Sequence, residues 1–86
     1  MKNGTLSIEE KNLLLHCLAE YKPELIEKAG LLESEFVDAE TVKEMRDAVG
    51  TELQLKGFKI NWQPNEYGLK LENLIDRLAD LYLKPD

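Results

Sequence analysis

The sequence predicts an all-α protein: a small single-domain bundle of three longer helices plus one short helix, with an extended aromatic loop before the last helix. Three observations carry this expectation. Apolar residues recur at three- and four-residue spacing through three long segments, the period of a helix with one buried face. Residues that start and stop helices flank those segments. Only one stretch alternates like a strand, and it has no second strand to pair with. Eighty-six residues accommodate one domain, 1–86, in which 1–6 is expected as a flexible N-terminus.

Helix one is expected over roughly Ser7 to Tyr21. Ser7 and Glu10 form an S-x-x-E capping box, and Glu9 and Glu10 suit the positive end of the helix dipole. Leu14, Cys17, Leu18 and Tyr21 fall on one stripe, and Lys22 is pushed out of the helix by Pro23. Pro23 opens a short second helix whose apolar face is Leu25, Ile26 and Ala29, with Gly30 as a left-handed stop. A kinked continuation of helix one is the competing reading. Leu32 and Phe36 are then expected to dip into the core from the connection.

Helix three, capped by Asp38, carries Val42, Met45, Val49 and Leu53 at helical spacing. Gly57 stands where a left-handed residue ends a helix, with Phe58 folding back on Leu53. Gly50 lies inside this helix on the flank of its stripe, and close approach of another helix is the expected reason. From Phe58 to Gly68 the helical period vanishes: Phe58, Ile60 and Trp62 alternate with Lys59 and Asn61. An extended loop closed by Pro64-Asn65 is expected, with Trp62 either a plug over the core or a binding anchor. Helix four follows from about Gly68 to Leu83, with Leu71, Leu74, Ile75, Leu78, Leu81 and Tyr82 on one side.

Candidate chemistry is sparse. One cysteine and one histidine leave no disulfide framework and no Cys/His metal cluster, so no metal and no cofactor are expected. His16 and Cys17 are neighbours on a helix and point about 100° apart, which excludes a nucleophile–base pair between them. Cys17 is expected in the core and His16 in solvent, where a helical histidine is able in principle to accept a phosphoryl group. The acids are read as solvated surface, since a carboxylate needs burial or a close like charge to reach a catalytic pKa. No catalytic residues are assigned, and the protein is expected not to be an enzyme.

Charge narrows the partners. Eleven Lys+Arg against seventeen Asp+Glu give a net charge of −6, which argues against a nucleic-acid binder, whose affinity comes from displaced counterions. The longest apolar run, Leu13 to Ala19, is interrupted by His16 and too short for a membrane span, so no membrane association and a cytoplasmic location are expected. Between residues 33 and 47, Glu33, Glu35, Asp38, Glu40, Glu44 and Asp47 stand against only Lys43 and Arg46. Such a concentrated field steers a positively charged protein surface. These six acids and Tyr67, an aromatic expected to reach solvent, are the candidate partner-binding residues. Leu55, Leu69 and Leu83 fall off the main stripes and are the residues to test for a homodimer, a common remedy for a small core.

Size, acidity and four helices resemble the nuclease-colicin immunity proteins, small acidic helical proteins that neutralise a basic toxin domain. The resemblance covers bulk properties only: the Tyr-Tyr-Pro motif of that family's recognition helix is absent, the tyrosines being Tyr21, Tyr67 and Tyr82. The stretch from Asn65 to Asp76 resembles short bacterial or prophage proteins. The expected function is therefore a small acidic, non-enzymatic protein–protein interaction or regulatory protein. The alternatives are an accessory domain of an enzyme whose site another chain completes, and an immunity- or antitoxin-like inhibitor of a basic partner.

Overall fold

The computed structural model describes residues 6–32 and 37–59, residue 61, and residues 63–83. Helix α1 spans Ile8–Tyr21, a 3-10 turn at Pro23–Leu25 leads into α2 at Ile26–Ala29, α3 spans Ala39–Lys56 and α4 spans Glu66–Leu78. A π-helical turn over Ala79–Leu83 extends α4. The fold is thus all-α, as expected, with α3 packed against both α1 and α4. No strand forms among the described residues.

The three long helices, α1, α3 and α4, each begin where a side chain satisfies orphan N–H groups of the first turn. The Glu10 N–H donates to Ser7 Oγ at 3.1 Å and the Ser7 N–H to Glu10 Oε1 at 2.8 Å, closing the capping box. The Thr41 N–H donates to Asp38 Oδ1 at 3.0 Å. Helix α4 starts two residues before the expected Gly68, because Asn65 is its cap and accepts from the Gly68 N–H at 2.6 Å. The same Asn65 donates from Nδ2 to the Lys56 carbonyl at 3.1 Å, and its N–H to the Gly57 carbonyl at 2.9 Å. One side chain therefore stitches the end of α3 to the start of α4.

Three glycine expectations are corrected. Gly57 has φ −95° and is not left-handed. It is small because space demands it: a Cβ there would lie 2.6 Å from Leu53 Cδ1, and one on Gly68 would collide with the Gly57 carbonyl oxygen. Gly30 also stays right-handed, at φ −67°. Gly50 faces no described atom within 4 Å, so no helix approaches it closely.

Leu14, Cys17, Leu18, Val42, Met45, Val49, Leu71, Leu74 and Leu78 form the buried centre, joined at its margins by Leu25, Leu32 and Leu81. Leu6 and Ala48, absent from the expected core, are buried as well. Tyr21, Leu53, Ile75 and Tyr82 pack against the core but remain partly exposed. Ile26 is exposed, since the 3-10 turn before it changes the phase of the apolar face. Phe36, Ile60 and Trp62 lie outside the described residues, as do residues 1–5. The loop before α4 turns back on itself through a single antiparallel bridge between Phe58 and Pro64. The Lys59 N–H donates to the Gln63 carbonyl at 2.7 Å across it.

Candidate functional site

The α3 stripe does not stay apolar. Glu52 follows Met45 by seven residues and Val49 by three, so helical geometry turns it into the core, where it is only 1% exposed. An isolated buried carboxylate is costly unless hydrogen-bonded. Here the Tyr21 hydroxyl donates to Oε1 and the Tyr67 hydroxyl to Oε2, each at 2.6 Å. At the solvent side, His16 Nε2 lies 3.3 Å from Oε2 and Lys56 Nζ lies 3.7 Å from Oε1. One carboxylate thus joins α1, α3 and α4.

The electrostatics follow from these contacts. Burial pushes the Glu52 carboxyl up, but the two tyrosine hydroxyls, with Lys56 and His16, outweigh it and hold the group below its usual range. The hydrogen bond to Glu52, with burial behind it, pushes the Tyr21 phenol up to about 12. Burial, then the same carboxylate, raises Tyr67 further. Cys17 packs beneath; burial first and the Glu52 charge second push its thiol up to about 12, which makes it an inert core residue.

The expected partner-binding residues divide. Glu33 and Glu35 lie outside the described residues. Asp38 is exposed but occupied as the α3 cap, and hydrogen bonds from Thr41 hold its carboxyl below the usual value. Glu40, Glu44 and Asp47 share one face of α3 and, with Ala39 and Lys43, line a shallow concavity of about 480 Å³. Tyr67 does not join them. It is half-buried: its hydroxyl turns inward on Glu52, while the residue also lines an open groove between α1 and α4. Leu55 and Leu69 are exposed, whereas Leu83 packs against the core.

The reading of all acids as solvated surface fails at Glu52. Its signal was present in the spacing from Met45 and Val49, which points Glu52 and Leu53 to either side of the stripe. Two tyrosines near opposite ends of the chain were the complementary signal, since a half-buried phenol seeks an acceptor.

A second groove, of about 530 Å³, runs between α1 and α4, lined by Glu9, Asn12 and Leu13 on one wall and Tyr67, Lys70 and Asn73 on the other. No group of three or more His, Cys, Asp or Glu among the described residues is placed to hold a metal ion. No described helix is long and apolar enough to cross a membrane. Fold and site together define a small all-α bundle clamped through a buried carboxylate, with an acidic ridge on its central helix. The chain matches no family model, no curated protein and no solved structure.

Proposed function

We propose that the protein is a small non-enzymatic regulator that acts in the cytoplasm by binding a basic protein partner through the acidic ridge of α3. The observation that supports this reading is the alignment of Glu40, Glu44 and Asp47 on one face around the concavity. Their carboxylates make no hydrogen bond or ion pair with the described residues. A ridge of unspent negative charge attracts a cationic surface over roughly a Debye length, about 8 Å at physiological salt. A basic toxin domain, which the protein would inhibit, is the form of partner that the bulk resemblance favours.

The test is kinetic. A partner captured from the source cells is bound to the wild-type chain and to the triple variant Glu40→Gln, Glu44→Gln, Asp47→Asn over a range of salt. Steering acts chiefly on association, so the variant should associate about tenfold more slowly at low salt, with a flatter salt dependence and little change in dissociation. Unchanged association at low salt would reduce the ridge to a solvated face.

A further inference from the structure

We propose that His16 is a phosphoryl-acceptor residue, with Glu52 as the buried group that orients it. His16 is half-exposed on α1, and only one edge of its ring is engaged: Nε2 faces Glu52 Oε2 at 3.3 Å. Nδ1 has no hydrogen-bond partner among the described residues. A carboxylate beside Nε2 keeps the proton on that nitrogen and leaves the Nδ1 lone pair facing solvent.

The carboxylate is placed for this role. Glu52 is held on both oxygens by the Tyr21 and Tyr67 hydroxyls, so it cannot swing away from the imidazole. A histidine held by a surface acid would lack such an anchor. Lys56, half-exposed, reaches the other oxygen of the same carboxylate.

The step balances without a metal or redox partner. The Nδ1 lone pair attacks phosphorus in an activated phosphoryl donor of the acyl-phosphate or phosphoramidate class. The Nδ1–P bond forms as the bond from phosphorus to the leaving group breaks, and that group departs with the bonding pair. The ring gains positive charge with its proton still on Nε2, and the Glu52 carboxylate stabilises that charge where it develops. Glu52 is a positioning residue here; His16 alone forms the new bond.

The experiment uses phosphoramidate as the donor and the full chain, in which His16 is the sole histidine. Phosphorus NMR and intact mass follow an acid-labile phosphoryl group and tell the Nδ1 isomer from the Nε2 isomer. The folded chain should be labelled at Nδ1 at least about tenfold faster than the same chain unfolded in urea, a modest demand beside the roughly 10²–10⁴-fold that a positioned acid–base group contributes. Glu52→Gln, shown by circular dichroism to be folded, should lose that advantage. Should Glu52→Gln not fold, the comparison of folded with unfolded wild type decides alone. Equal rates in the folded and unfolded chains, labelling at Nε2, or no phosphohistidine would each overturn the assignment, as would a folded Glu52→Gln labelled at the wild-type rate.

Discussion

At the scale of the residue, Glu52 sets the terms. A hydrogen bond to a charged acceptor contributes about 1.5–3 kcal/mol net, and a half-exposed partner places its contribution at the low end. Tyr67→Phe should therefore cost about 1–2 kcal/mol by urea denaturation. The loss should shrink when Glu52→Gln is already present, because the two groups share one interaction. The cluster also prescribes a pH profile. Tyr21 and Cys17 have folded values near 12, above their ordinary 10.0 and 9.0. Their contribution is complete below those ordinary values and is lost as pH rises from 9.0 towards 12. Glu52 is shifted the other way, so its contribution is present above the ordinary carboxylate value of 4.5 and is lost as pH falls through its lower folded value. Urea midpoints measured across pH should show a fall on the alkaline side that Glu52→Gln makes shallower. An alkaline limb identical in the two proteins would mean that the tyrosines draw their shifts from elsewhere.

At the scale of the element, the glycines make opposite demands. Gly50 is an α-helical residue facing open space at φ compatible with any side chain, so Gly50→Ala should stabilise by about 0.5–1 kcal/mol. Gly68→Ala sets a methyl against the Gly57 carbonyl oxygen where α3 and α4 meet. It should cost at least about 1–3 kcal/mol, since backbone rather than a flexible side chain must yield. Thermal or urea unfolding of the two variants gives shifts of opposite sign, and a destabilised Gly50→Ala would imply a contact at that position. Ser7→Ala removes one half of the α1 capping box and should cost about 1 kcal/mol. Helix α2 is the weakest element: it contains four residues and buries none.

At the scale of the whole molecule, stability is distributed unevenly. Helix α3 contributes Val42, Met45, Ala48 and Val49 to the centre of the core and contacts both α1 and α4. Its amides between Met45 and Val49 should exchange hydrogen most slowly, at the free energy of global unfolding, and those of α2 among the fastest of the helical amides. The two proposed sites fall on different faces of the same helix: the acidic ridge at Glu40, Glu44 and Asp47, and the clamp at Glu52. The ridge variants should therefore leave the stability of the bundle within about 0.5 kcal/mol of wild type, as surface substitutions do. A larger loss would tie the ridge to the core and remove its independence.

Local physics made most of the fold legible in the chain. The Ser7–Glu10 box, the Asp38 cap, Pro23 and the apolar spacing of α1, α3 and α4 act within a turn or two, so neighbouring residues determine them. What only the tertiary structure decided depends on residues far apart in sequence. The roles of Gly57 and Gly68 come from two helices meeting at a point, which local φ preference does not encode. Glu52 looked like one more surface acid because its partners lie on other helices: His16 and Tyr21 on α1, and Tyr67 on α4. A buried charge is tolerated only where distant donors converge on it, and that convergence is a property of packing rather than of periodicity.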